Sequence, residues 1–145
     1  RRTSTLNGSI HSYIHNCVSD GLGKIGVLVD LGTEADQLIE VGKNICMHIA
    51  AMNPMSISEK DLDEKIIENE KEIILRQLKD SGKPENILKK MIDGKLRKFF
   101  EDNTLLEQKY VIDPSITVKD YIDQNKEKYN CAISINQFIR YEIGS

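Results

Sequence analysis

Apolar residues recur along this chain at two spacings, and the changes between them mark out its elements. The longest helical pattern runs from Ser58 to Asn103. Leu62, Ile66, Ile67, Ile73, Ile74 and Leu78 fall on one broad helical face, while Glu68, Glu70, Lys71, Glu72, Arg76 and Lys79 cover much of the rest. Ser58 reads as the N-cap, with Asp61 three residues on, and Asp61, Asp63 and Glu64 set negative charge where the helix dipole favours it. Ser81-Gly82-Lys83-Pro84 interrupts the pattern. Gly82 suits a C-cap and Pro84 the first turn of a new helix, which carries Ile87, Leu88, Met91, Ile92, Leu96, Phe99 and Phe100. So short a break folds the two helices back antiparallel. Gly94 is a weak point at which the second helix is expected to bend. A hairpin of this kind either contacts a partner or packs on its own domain.

On either side the period shortens. Arg1 to Leu6 reads as the end of a strand, turned by Asn7-Gly8, and Ser9 to His15 as a strand of β-branched and aromatic residues. Asn16 to Gly23, with Asp20-Gly21, reads as a loop. Lys24 to Leu31 is the most apolar run and suits a buried central strand, in which Gly26 suggests a close backbone approach or a bulge. Thr33 to Met52 reads as a helix capped by Thr33 with Asp36 at the third helical position, with Leu38, Ile39, Ile45, Cys46, Ile49 and Met52 recurring at helical spacing, and stopped by Pro54. Leu105 to Ile112 reads as extended and Asp113-Pro114-Ser115 as a turn. Thr117 and Asp120 form a capping box for a helix ending at Tyr129-Asn130, and Ile133 to Ile143 reads as the last strand.

The sum is an α+β fold. A small, mostly antiparallel sheet of three to four strands packs with helices, and residues 58–103 form an inserted antiparallel helical hairpin in a core made of 1–57 and 104–145.

Composition narrows the function. A formal net charge of −3 and a pI near 5.7, with acids and lysines interspersed, argue against nucleic acid as a partner. No apolar run has the length of a membrane span and no signal peptide opens the chain, so neither a membrane partner nor secretion is expected. Cys17, Cys46 and Cys131 are few and scattered, as reduced thiols in a cytoplasmic protein would be. The chain starts at Arg1-Arg2 without an initiator Met, which reads as a piece of a longer protein.

Few residues suggest chemistry. Gly21-Leu22-Gly23-Lys24-Ile25-Gly26 resembles a phosphate-binding glycine fingerprint only loosely, because it precedes a strand rather than opening a helix. His11, His15, Cys17 and His48 are the soft-ligand candidates, but their spacing matches no strong zinc pattern, so hydrogen-bonded or surface histidines are the better reading. Ser9, His11 and Ser12 do not make a nucleophile and base, since neighbouring strand residues point to opposite faces. No catalytic residue, metal or cofactor is assigned. The residues read as a binding or interaction domain rather than an enzyme.

Three runs carry a resemblance. Ile10-His11-Ser12-Tyr13-Ile14-His15, Gly23-Lys24-Ile25-Gly26-Val27-Leu28-Val29 and Met47-His48-Ile49-Ala50-Ala51-Met52-Asn53-Pro54 occur in that order. Gly82-Lys83-Pro84-Glu85, Met91-Ile92-Asp93-Gly94-Lys95-Leu96, Leu105-Leu106-Glu107-Gln108, Thr117-Val118 and Phe138-Ile139-Arg140-Tyr141-Glu142-Ile143-Gly144 continue it. In order and spacing the chain resembles the second half of bacterial translation elongation factor Ts. That resemblance implies the C-terminal core subdomain, with its coiled-coil or dimerisation hairpin inserted. It implies a guanine nucleotide exchange factor that promotes GDP release from elongation factor Tu, its partner, by packing on the barrel domain of that GTPase. The family histidine that contacts elongation factor Tu falls on His15, with His11, Tyr13 and Gly23 as neighbours in the binding surface. A homodimer through the hairpin or the sheet is the alternative interaction. The family's Thr-Asp-Phe wedge has no counterpart here: Thr33-Glu34-Ala35-Asp36 lacks the aromatic. Nor is the family's N-terminal helical module found. This chain is therefore expected to bind elongation factor Tu weakly and to accelerate nucleotide release poorly.

Overall fold

A computed structural model describes residues 8–32 and 36–144. The expected strand end at Arg1 to Leu6, the Asn7 half of the first turn and the Thr33 cap lie outside the described residues. The chain divides into two compact units, Arg1–Asn53 with Lys109–Ser145, and Pro54–Gln108. These boundaries fall four to five residues outside the hairpin limits taken from the periodicity.

The first unit is built on an antiparallel sheet in the order β1-β2-β3, from β1 (Ile10–Ser19), β2 (Leu22–Asp30) and β3 (Gln137–Glu142). β1 and β2 form a hairpin that turns at Asp20-Gly21, where Gly21 takes φ 72°, a conformation free of cost only for glycine. This hairpin is longer than its pattern suggests. The stretch from Asn16 to Gly23, expected as a loop, continues the ladder: Cys17 pairs with Gly23 and Ser19 with Leu22. Asn16 allows it by adopting φ 53°, and the register shift between Cys17 and Ser19 accommodates one extra residue, Val18. Gly26 is not a point of close approach, because a Cβ there would meet nothing within 4 Å.

α1 (Ile39–Met52) lies on one face of the sheet. Val41, Ile45, Cys46 and Ile49 of the helix and Val27 and Val29 of β2 are all buried. Among the described residues the α-helix begins at Ile39. A 3-10 turn, Asp36–Leu38, precedes α1, and Leu38 occupies the N-cap with no side-chain bond, held instead by complete burial. Asn53, at φ 45°, ends the helix with its N–H on the Ile49 carbonyl, and Pro54 follows.

Leu105 to Ile112, read as extended, is a run of turns and bends and joins no strand. Only isolated bridges occur, Ser56 with Thr104 and Lys109 with Thr117. The apolar pattern there reflects burial of single side chains, Leu105 and Tyr110, rather than pairing. Asp113 then accepts from the Ser115 N–H and hydroxyl, fixing the expected turn.

The second unit holds α2 (Glu64–Leu78) and α3 (Glu85–Asn103), packed on one another. Ser58 does not cap α2. It heads a 3-10 turn, Glu59–Asp61, and its hydroxyl donates to Asp61 at 2.6 Å. Leu62 is extended and buried, so the helix can begin only after it, and Asp63 is the N-cap, accepting from the Lys65 N–H at 3.0 Å. Gly82 takes φ 64° in the link, and Pro84 stands at the N-cap of α3 rather than inside its first turn. α3 runs through Gly94 without interruption. Ile74 and Leu78 are buried, whereas Ile66, Ile73 and Leu75 of α2 and Ile87 of α3 are exposed.

α4 (Val118–Tyr129) begins with the expected capping box: Asp120 N–H donates to the Thr117 hydroxyl and Thr117 N–H to the Asp120 carboxylate. Val118 and Ile122 are buried, Tyr121 partly so, and Asn130 closes the helix at φ 48°. The last strand is shorter than its pattern. Asn136 N–H already donates to the carbonyl of Asp30, the end of β2, so Ile133 to Ile135 have no strand beside them; Ile133 is buried nonetheless.

Candidate functional site

The four residues singled out for partner contact all lie on the β1–β2 hairpin. Strand alternation puts His11, Tyr13 and His15 on one side of β1, opposite Val29, Val27 and Ile25 of β2. They form a graded row. His11 is partly buried: its Nε2 lies 3.1 Å from the Ser9 hydroxyl and its ring rests against Gly42 of α1. Burial lowers the His11 pKa from its ordinary value, which favours the neutral ring. Tyr13 is intermediate, and its hydroxyl lies 3.1 Å from Nδ1 of His15, with the two rings tilted at 6.0 Å. His15 is exposed and oriented by that bond.

Gly23 completes the group from β2. A Cβ there would stand 2.4 Å from Cγ2 of Ile14 and 2.7 Å from the His15 carbonyl, so only glycine fits. Asn16 to Leu22, beyond His15, are exposed, and Val18 and Leu22 project at 82% and 65% exposure. The structure thus brings His11, Tyr13, His15 and Gly23 into one hairpin and leaves His15 as the ring nearest the exposed end.

Sequence reasoning missed Gly42. Its place in the interior of a helix was a signal, since glycine costs about 1 kcal/mol there and needs a compensating contact. A Cβ at Gly42 would lie 2.1 to 2.5 Å from three atoms of the His11 ring. It also missed the bulge at Val18, which the Asn16 and Asp20-Gly21 turn formers foreshadow only in part. Cys46, beneath β1, donates to the His11 carbonyl at 3.5 Å, and burial pushes its thiol up to about 12, so it is an inert core group.

The other candidates separate. His48 is fully buried on α1, accepts from the Val111 N–H at Nδ1 and is remote in role from the hairpin. Cys17 is exposed near the hairpin end. Among the described residues no group of three His, Cys, Asp or Glu is placed to hold a metal ion. Gly21 to Gly26 forms the turn and the start of β2 and opens no helix. No helix among the described residues is long and apolar enough to cross a membrane.

Comparison with known proteins gives this arrangement a context. The family model described as "Elongation factor TS" matches residues 1–145. Elongation factor Ts of Paracoccus denitrificans is 53% identical over 119 residues, covering 81% of this chain and 40% of that protein. That of Bartonella bacilliformis is 41% identical, covering 99% of this chain and 47% of the relative. That of Syntrophobacter fumaroxidans is 42% identical, covering 95% and 70%. The chain thus falls in a class of proteins named for translation elongation. Within that class it belongs to the elongation factor Ts family, and it spans about half the length of most of the curated relatives it matches.

Proposed function

We propose that this chain is the elongation factor Tu-docking part of a guanine nucleotide exchange factor, a cytoplasmic, non-enzymatic protein of translation elongation. The family match over the whole chain carries this reading. The hairpin supplies its local basis, with an oriented, exposed His15 at the end of a row anchored on the core through Tyr13 and His11. Exchange needs no group chemistry. It requires a factor that binds the nucleotide-free GTPase more tightly than the loaded one, and GDP release follows by linkage.

The test is calorimetric titration of the chain into elongation factor Tu, with His15→Ala as the comparison. The wild-type chain is expected to bind, and the variant to bind about tenfold more weakly, the loss of roughly one hydrogen-bonded contact. His15 is exposed, so the variant should keep its melting temperature. Absence of wild-type binding sinks the proposal, and unchanged binding by the variant removes His15 from it.

A second reading is self-association through the second unit. Between α2 and α3 lies an apolar groove of about 390 Å³ lined by Leu75, Leu78, Leu88 and Ile92, with Leu75 52% exposed. Sedimentation across a hundredfold concentration range distinguishes the readings: a constant monomer mass rules pairing out.

A further inference from the structure

The far end of the β1–β2 hairpin carries two apolar side chains that the docking contact at His15 does not use. Val18, at 82% exposure, is the most exposed large apolar side chain among the described residues, and Leu22 is 65% exposed. They stand on either side of the Asp20-Gly21 turn. Cys17 pairs with Gly23 and Ser19 with Leu22, so Val18 is the extra residue that the ladder leaves without a partner. A bulge re-aims the side chain it carries, and here no cross-strand neighbour covers it.

The composition of this end sets it apart from the rest of the surface. Charged residues make up 30% of the chain, yet Asp20 is the only one between His15 and Lys24. A strand edge or hairpin end that only has to stay in water is kept apart from other proteins by charge, most often lysine. Apolar residues scattered singly over a surface need no explanation. Two on one short turn, with a single carboxylate between them, are different, because covering both removes apolar surface from water at little cost in desolvated charge. Their place along the hairpin also matters. At about 3.3 Å per residue, Val18 stands about 10 Å beyond His15 along β1. A flat surface brought to the end of the hairpin would stop at Val18 and Leu22 before it reached His15. A partner that touches His15 must therefore take in the end of the hairpin as well.

We infer that Val18 and Leu22 form an apolar plug that enters an apolar recess on elongation factor Tu and supplies most of the docking affinity; the identity of the partner rests on the docking reading above. Burying both side chains is worth about a hundredfold in affinity, against about tenfold for the polar contact of His15. The two features then divide the work: the plug holds, and the oriented imidazole sets the register. A second copy of this chain is the poorer occupant. Two hairpins meeting end to end in a symmetric pair would set one Asp20 beside the other, like charge on like charge.

The experiment is calorimetric titration of the whole chain into elongation factor Tu at three temperatures, with Val18→Thr, Leu22→Thr, the double variant and His15→Ala in parallel. Threonine suits a strand and replaces apolar surface with a hydroxyl. Both positions are exposed, so the melting temperatures should match the wild type, and a loss of affinity then reports contact rather than folding. The wild type is expected to bind with a negative heat-capacity change, the mark of buried apolar surface. Each single threonine variant should bind about tenfold more weakly and the double variant about a hundredfold, with a heat-capacity change closer to zero. His15→Ala should lower the affinity and leave the heat-capacity change as it is. Wild-type binding that the threonine variants match, in affinity and in heat-capacity change, overturns the plug and leaves the docking reading standing. No wild-type binding overturns both. Sedimentation completes the test: if the wild type self-associates, the double variant does not, and both bind elongation factor Tu equally, the occupant is a second copy and the inference is wrong.

Discussion

At the scale of the residue, the candidate surface depends on two glycines that leave room for other groups. Gly42 leaves the space that the His11 ring fills, and Gly23 lets β2 approach the His15 carbonyl. Gly42→Ala sets two effects against each other. Alanine gains about 1 kcal/mol of helix propensity. Its methyl group would meet the imidazole at 2.1 to 2.5 Å, far inside van der Waals contact, and overpacking of that kind costs about 1 to 3 kcal/mol. The clash wins, so a net loss is expected in urea unfolding. In a His11→Ala background the same change should turn neutral or stabilising, because the obstructing ring is gone. His11 also carries a pH dependence. Burial lowers its pKa, so the folded state binds fewer protons there than the unfolded chain. Its contribution is present above the ordinary histidine value of 6.5 and declines as pH falls through it. The urea midpoint should fall between pH 8 and pH 5, and by less in His11→Asn.

At the scale of the element, caps and burial decide which helices tolerate change. α4 has a complete capping box, so Thr117→Ala should cost about 1 kcal/mol in unfolding measurements. Asp120 is held below the ordinary carboxylate range by its bond from the Thr117 N–H and then by the hydroxyl. That contribution is present above the ordinary value and is lost as pH falls below it. In the second unit, Leu78→Ala should cost about 2 to 4 kcal/mol, because Leu78 is buried, whereas Ile87→Ala on the exposed side of α3 should cost under about 1 kcal/mol. The same contrast explains what the sequence made legible. The Thr117 box, the αL asparagine ending α4, the helical hairpin and the central strand were readable because each is signalled by neighbouring residues. The start of α2 was not, since two capping residues compete and only the burial of Leu62 selects Asp63 over Ser58. The extended reading of Leu105 to Ile112 was imprecise for a tertiary reason: its apolar residues serve single buried sites, Leu105 and Tyr110, and only isolated bridges pair there. Of the candidate surface, the histidines were visible in sequence, but the seat under His11 was not, because Gly42 lies thirty-one residues away on another element.

At the scale of the whole molecule, the question is whether docking suffices for exchange. An exchange factor accelerates release only as far as its affinity differs between the nucleotide-free and GDP-bound states of its partner. A factor that binds both equally shifts nothing, however tightly it binds. The surface read here is one hairpin with an oriented histidine, and the chain spans 40% to 48% of the length of four of its relatives. Contacts confined to a surface remote from the bound nucleotide would change little when GDP leaves. The expected outcome is binding without acceleration. It is measured by the release of a fluorescent GDP from elongation factor Tu, chased with excess unlabelled GDP, at rising concentrations of this chain and of a full-length relative. The relative should speed release by orders of magnitude, and this chain by less than about twofold at concentrations that saturate binding. Saturation matters, because a weak binder assayed below its dissociation constant would look inactive for the wrong reason. With the occupancy fixed by calorimetry, a small effect means equal affinity for the two states of the GTPase. A large one means that the His11 to Gly26 hairpin itself distinguishes them, and His15→Ala should then lower the release rate at full occupancy as well as the affinity.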